Sequence, residues 1–170
     1  IDNFHYVNII SVWDNITNGN STCGEQTVTS NAPPIISDIS DYTIPISTPF
    51  ALKAVATDSG NDNLTYTFNQ IDPESTTYPL VSTATQGPAF RSYPPSITPE
   101  RTFPNLQTIR DGNVFNTWEV MPSVARTMNF ATTVRDNNIE VGQSASVTNT
   151  ITVDDTSGPF LITNPSVFEI

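Results

Sequence analysis

Two runs of alternating apolar and polar residues, joined by an acidic turn, constrain this chain more than any other feature in it. From Phe50 to Thr57 the run FALKAVAT sets Phe50, Leu52, Ala54 and Ala56 against Lys53 and Thr57. From Leu64 to Asn69, Leu64, Tyr66 and Phe68 alternate with Thr65, Thr67 and Asn69. Successive side chains of a strand point to opposite faces, so each run reads as a β-strand with one face in a core and the other in water. The turn between them, Asp58-Ser59-Gly60-Asn61-Asp62-Asn63, combines a glycine able to take a positive φ with a dense set of hard oxygen donors.

The same period recurs along the chain. Strands are predicted near 35–37, 42–46, 50–57, 64–70, 117–120, 127–135, 145–153 and 159–163. With no helical period after Asn31, these short strands predict an all-β fold, an immunoglobulin-like or cadherin-like β-sandwich over residues 35–163. In the late strands Met128, Phe130, Thr132 and Val134 share a face, as do Val147, Asn149, Ile151 and Val153, with Thr132 and Asn149 as polar interruptions. The middle, Ser75 to Asn116, reads as a long proline-rich insertion without regular structure that wraps one end or edge of the sandwich.

The first residues differ. Phe4, Ile9, Val12, Trp13 and Ile16 fall near helical spacing, with Asp2 or Asn3 placed as the cap and Asn18-Gly19 as the stop. Residues 1–22 are therefore expected to be a single amphipathic helix, which must pack on the sandwich or on a preceding domain. Residues 23–34 read as a linker ending in Pro33-Pro34, and residues 164–170 as the start of a following linker or module.

At 170 residues the chain is long enough for one well-cored domain with an appendage. Six Lys and Arg against 17 Asp and Glu give a formal net charge of −11, which disfavours nucleic acid and anionic membrane as partners and favours cations. Abundant Thr, Ser and Asn and 14 prolines suit an exported β protein, so the expected location is secreted or cell surface. No apolar run is long enough for membrane insertion, and the export signal is expected on a longer precursor.

Calcium takes roughly six to eight oxygen ligands from carboxylates, amides and carbonyls. Asp58, Asp62 and Asn63 are the first candidates, and Asp136 and Asn137, followed by Asn138, form a second cluster at the end of a later strand. Two loops at one pole could share a calcium ion; equally, Asp and Asn are good turn formers. Asp72 and Glu74 are weaker candidates, expected at the opposite end. His5 reads as structural, because no carboxylate or cysteine stands at ligand spacing from it. Arg91, Arg101, Arg126 and Arg135 are four of only six cations, and each is expected to have a carboxylate partner, Arg91 and Arg101 pinning the insertion, with recognition of a ligand's carboxylate as the alternative for these two. Phe90, Tyr93, Phe103, Phe115 and Trp118 read as a satellite core beneath the insertion, with a peptide or glycan groove as the alternative.

Several motifs together resemble one family: Ala32-Pro33-Pro34, Asp41-Tyr42-Thr43-Ile44-Pro45, the Asp58–Asn63 turn, Gly87-Pro88-Ala89-Phe90-Arg91-Ser92, Arg101-Thr102-Phe103-Pro104, Trp118-Glu119-Val120-Met121-Pro122-Ser123, and Arg126-Thr127-Met128-Asn129-Phe130 leading to Val134-Arg135-Asp136-Asn137. The chain resembles the region after the catalytic domain in secreted, reprolysin-like zinc metalloproteases of Bacteroidetes-type bacteria. The resemblance implies that the helix after Phe4-His5 closes the protease domain and contacts it, and that Cys23 pairs with an upstream cysteine outside this chain. The family's zinc motif, His-Glu-x-x-His and a third His, is absent, and His5 is the single histidine here. A zinc peptidase needs several protein ligands and a general base, so zinc would belong to the missing catalytic domain. The expected function is that of a non-catalytic accessory module of such a protease, a calcium-stabilised spacer or substrate-docking domain. The alternative is a stand-alone surface adhesin module that binds protein or carbohydrate. The chain itself is not expected to be an enzyme.

Overall fold

The computed structural model describes residues 4–21, 23–25 and 27–161. The expected cap at Asp2 or Asn3, residues 162–163 of the last expected strand and the segment 164–170 lie outside them. The chain is mostly strand: β1 (Ile35–Ile36), β2 (Tyr42–Pro45), β3 (Phe50–Lys53), β4 (Ala56–Thr57), β5 (Thr65–Gln70), β6 (Glu100–Phe103), β7 (Phe115–Asn116), β8 (Glu119–Val120), β9 (Arg126–Arg135) and β10 (Ser144–Asp154). Two helices join them, α1 (Tyr6–Thr17) before β1 and α2 (Leu106–Arg110) between β6 and β7.

The largest sheet has the order β2-β10-β9-β5, with β9 antiparallel to both neighbours and β2 parallel to β10. Alternation fixes its inner face. Met128, Phe130 and Val134 of β9, Tyr66 and Phe68 of β5, and Ile151 and Val153 of β10 are all buried. The segment 50–57 changes partner halfway: β3 pairs with β6, and β4 pairs with β1. Backbone bonds from Ala54 N–H to the Pro99 carbonyl (2.8 Å) and from Ser37 N–H to the Val55 carbonyl (2.9 Å) extend both pairings across the break. Phenylalanines join these strands to the large sheet. Phe50 of β3 stacks on Phe103 of β6 at 4.9 Å, and both meet Phe130 of β9 edge-on at 5.7 and 5.0 Å. Such pairs add about 0.5–1.5 kcal/mol each beyond the area they bury.

The insertion is more regular than its prolines suggest. It contains β6, α2 and half of the β7–β8 hairpin, so the expectation of an irregular stretch without helix is corrected. Pro99 and Pro104 bracket β6 and mask it in the sequence, yet neither lies inside it. The insertion also closes the free edge of β5. Tyr66 exchanges backbone hydrogen bonds with Ser96 at 2.7 and 3.0 Å. An uncovered edge invites pairing with another chain, and this contact removes part of it. The strand expected at 159–163 does not form over residues 159–161.

Helix α1 is capped by His5, whose Nδ1 accepts from the Val7 N–H at 3.3 Å, and it ends at Asn18. It lies beside the outer face of β5 and β9. The Tyr6 N–H donates to Asn69 Oδ1 (3.4 Å), and Arg135 Nη2 donates to the Phe4 carbonyl (3.0 Å). No residue of α1 is buried, and Val12 and Trp13 stay largely exposed. Neither helix is long and apolar enough to cross a membrane.

Candidate metal centre

Register places the centre. Thr65 pairs with Arg135 and Arg135 with Ser144, so the loop entering β5 and the loop leaving β9 emerge side by side at one pole. There the carboxylates of Asp58, Asp62 and Asp136 each present an oxygen within 4.8 Å of the others. Asp58 and Asp62 are half-buried, and Asp136 is buried, with 1% of its surface exposed.

Each loop orients its own carboxylates. Asp58 Oδ1 accepts from the backbone N–H groups of Gly60 (2.8 Å) and Asp62 (3.2 Å), folding the turn around that side chain. Positive φ falls on Asn61 (57°) rather than on Gly60 as expected, asparagine being among the residues that tolerate it. Gly60 is needed for room instead. A Cβ there would stand 3.0 Å from Asp62 Oδ2 and 3.1 Å from Asp58 Oδ1. In the second loop Asp136 Oδ1 accepts from the N–H groups of Gln143 (2.8 Å) and Asn138 (3.2 Å). Its Oδ2 accepts from Asn31 Nδ2 at 2.6 Å. Burial pushes the Asp136 carboxyl up, but these three hydrogen bonds outweigh it and hold the group below its ordinary value, ionised beside the other two.

Of the residues singled out from the sequence, Asp58, Asp62 and Asp136 converge. Asn63 and Asn137 tie the two loops together. Asn137 Nδ2 donates to the Asn63 carbonyl (2.6 Å) and to Thr65 Oγ1 (3.1 Å). Asn138 contributes more directly, donating to Asp62 Oδ2 at 3.1 Å. Asn31, which the sequence places in a linker, belongs to the centre as well, and nothing local marks it: its partners Asp136 and Val141 are more than a hundred residues away. Asp72 sits at the opposite pole, bonded to Asn129 at 2.8 Å.

Asp58 Oδ2 is buried and has no hydrogen-bond partner. Neither ion pair among the described residues involves the three aspartates. The donor set is all oxygen, which suits a hard cation. Two ligands on opposite sides of a calcium ion stand about 5 Å apart, given roughly 2.3–2.6 Å per bond, so oxygens within 4.8 Å of one another fit one coordination sphere.

A second acidic group, in the insertion, is built differently. Glu119 is fully buried, and its Oε1 accepts from Arg101 Nη2 at 2.8 Å. Its Oε2 accepts from the Asn105 backbone N–H (2.8 Å), Asn105 Nδ2 (3.1 Å), Asn116 Nδ2 (3.3 Å) and the Tyr93 hydroxyl (3.3 Å). Arg101 lies between the rings of Tyr93 and Phe103, 4.6 and 4.3 Å from their centroids, and its Nη2 also donates to the Arg91 carbonyl at 2.6 Å. Arg101 thus pins the insertion as expected, and Phe90 and Phe103 join the main core.

Among the described residues, the expectation that every arginine has a carboxylate partner is met by two of the four. Arg126 has Asp72 at 3.9 Å, but Arg91 stacks on Tyr93 and Trp118, and Arg135 bonds Thr67 Oγ1 and the Phe4 carbonyl. Ring faces and carbonyls can satisfy a guanidinium in place of an acid. Cys23 is exposed and unpaired among the described residues. No family model matches the chain, and no curated protein matches it.

Proposed function

We propose that the chain is a non-catalytic accessory module of a secreted or cell-surface protein, its pole stiffened by calcium held at Asp58, Asp62 and Asp136. The observation that carries this reading is the convergence of three carboxylates from two loops, within 4.8 Å, with one buried oxygen left without a donor. A cation there would link the turn before β5 to the β9–β10 loop and, through Asn31, to the segment arriving from α1. The mechanism is positional: a rigid body that spaces its neighbours or docks a substrate.

An immunoglobulin-like or cadherin-like sandwich is the finer form of this reading. It is supported by the parallel pairing of an early strand, β2, with the last one, β10, at the edge of an otherwise antiparallel sheet. It is also supported by the phenylalanine contacts that join β3 and β6 to that sheet. The resemblance to the region behind a reprolysin-like zinc protease supplies the context, with α1 facing the parent's catalytic domain through its exposed Val12 and Trp13.

Isothermal titration of the metal-stripped chain with calcium, with thermal unfolding followed in parallel, tests the proposal. The expected dissociation constant is about 10⁻⁴–10⁻³ M or tighter, as in extracellular modules. At a hundredfold excess over it the gain is about 2.7 kcal/mol. Both heat and stabilisation should vanish in Asp58→Ala/Asp62→Ala. Absence of heat and of stabilisation at millimolar calcium in the unaltered chain would overturn it.

A further inference from the structure

Tyr78, Leu80, Pro88, Phe90 and Trp118 wall an open hollow of about 190 Å³ whose floor reaches the core through Phe90 and Leu80, and Arg91 also lines it. Two of its walls are large aromatic rings left in water: Tyr78 is 67% and Trp118 49% exposed, and they touch each other at 5.5 Å. On a surface otherwise rich in Ser, Thr and Asn, this is a concentrated apolar concavity, and aromatic residues of this kind are enriched where proteins bind partners.

The rim carries the charge that selects the partner. Arg91 is exposed, and its guanidinium has neither an ion pair nor a side-chain hydrogen bond among the described residues, although the chain holds 17 acidic residues. Glu119, whose network reaches the Arg91 carbonyl through Arg101, is already paired with Arg101. Arg91 lies instead over the rings of Trp118 and Tyr93, 5.3 and 5.6 Å from their centroids. Stacking occupies the faces of a guanidinium and leaves its in-plane N–H groups free for bidentate bonding to a carboxylate.

We infer that this hollow binds the C-terminal residue of a peptide, taking an apolar side chain against Leu80, Phe90 and Trp118 and the terminal carboxylate on Arg91. A terminal residue carries its side chain and its carboxylate on one Cα, which matches one small hollow with one cation at its rim. Addition of a peptide strand to the β5 edge is disfavoured, because Ser96 already pairs there. The inference deepens the substrate-docking side of the reading above, and it stands whether or not the pole binds calcium.

The test uses amide-proton NMR of the full chain titrated with N-acetyl-Ala-Ala-Phe bearing a free carboxylate, its C-terminal amide, and N-acetyl-Ala-Glu-Ala-amide. The free acid should shift resonances at 76–78, 80, 89–91 and 118. The two amides should bind at least tenfold more weakly. Arg91→Gln should erase the preference for the free acid, Arg91→Lys should keep part of it, and Trp118→Ala should abolish binding. Unchanged β9 and β10 resonances report that each variant is folded. Equal binding of acid and amide, tighter binding of the internal glutamate, or no shifts at several millimolar free acid would overturn the inference. Because the titration is run with and without calcium, its failure is separable from failure of the metal centre.

Discussion

Two acidic regions of this molecule are solved in opposite ways. Glu119 is fully buried and surrounded by donors: a guanidinium, a backbone N–H, two side-chain amides and a phenol. Asp58, Asp62 and Asp136 converge at one pole, half-buried or buried; among the described residues no cationic side chain is bonded to them, and Asp58 Oδ2 lacks a partner. In the first region both carboxylate oxygens are satisfied from within the chain, although Arg101 Nε is left without a partner; burial there demands a paired charge, because an unpaired one in a low dielectric is very costly. In the second the donors are backbone N–H groups and asparagine amides, and one oxygen, Asp58 Oδ2, is left without a partner among the described residues. On the reading proposed above, a cation would take that place.

The sharpest way to break this comparison is to remove Glu119. Glu119→Ala strands Arg101, whose side chain is only 11% exposed, and releases Asn105, Asn116 and Tyr93 from the same anchor. Removing one partner of a buried pair typically costs about 3–5 kcal/mol. Urea unfolding should show a loss of that order, equal in chelator and in millimolar calcium. A loss that calcium repairs would mean that the two regions are not independent.

Asp136→Asn probes the other side, with a smaller effect. In chelator it weakens the bonds from Gln143, Asn138 and Asn31, at about 1–3 kcal/mol for groups left poorly satisfied. Because hydrogen bonds hold the folded-state pKa of Asp136 below the unfolded value, its contribution is fully present above the ordinary carboxylate range. It is lost as pH falls below about 4, through the folded-state pKa. The acid limb of a pH–stability profile should therefore flatten in the variant. An unchanged limb would remove Asp136 from the charged centre.

Local pattern made part of this visible in the sequence. The alternation in 50–57 reports burial directly, since period two maps onto the two faces of a sheet; in 64–69 and at 131–133 it does not, because Thr67, Asn69, Ala131 and Thr133, expected in water, are buried as well. The acidic turn was legible because Asp58, Gly60 and Asp62 act on one another within five residues. What remained hidden was long-range. Asn31 reaches Asp136 across more than a hundred positions, and β6 is recognisable only once its partner β3 is in place. The Glu119 cage draws on residues from 93 to 119, with no single spacing that announces it. The contacts of Asn137 were hidden for the same reason: at positive φ (54°) its amide bonds Asn63 and Thr65, on the neighbouring loop.

The smallest expected effect lies between the two regions, at His5. Its imidazole is half-buried and caps α1 through Nδ1; burial pulls its pKa down, only partly offset by the nearby Gln70 backbone. Nδ1 can accept from the Val7 N–H only while unprotonated, so protonation takes away the cap. The folded state favours the neutral ring, so the unfolded state binds more protons below about pH 6.5, and α1 should loosen as pH falls through that range. Loss of a cap is worth about 1 kcal/mol or less at a half-exposed site. Hydrogen exchange at residues 7–17 should therefore quicken, beyond its intrinsic pH dependence, between pH 7.5 and 5.5. In His5→Asn, which caps without titrating, that excess should disappear. An excess that persists in the variant would place the pH sensitivity of the helix elsewhere, and no excess in either chain would mean that α1 is held by Asn69 and Arg135 alone.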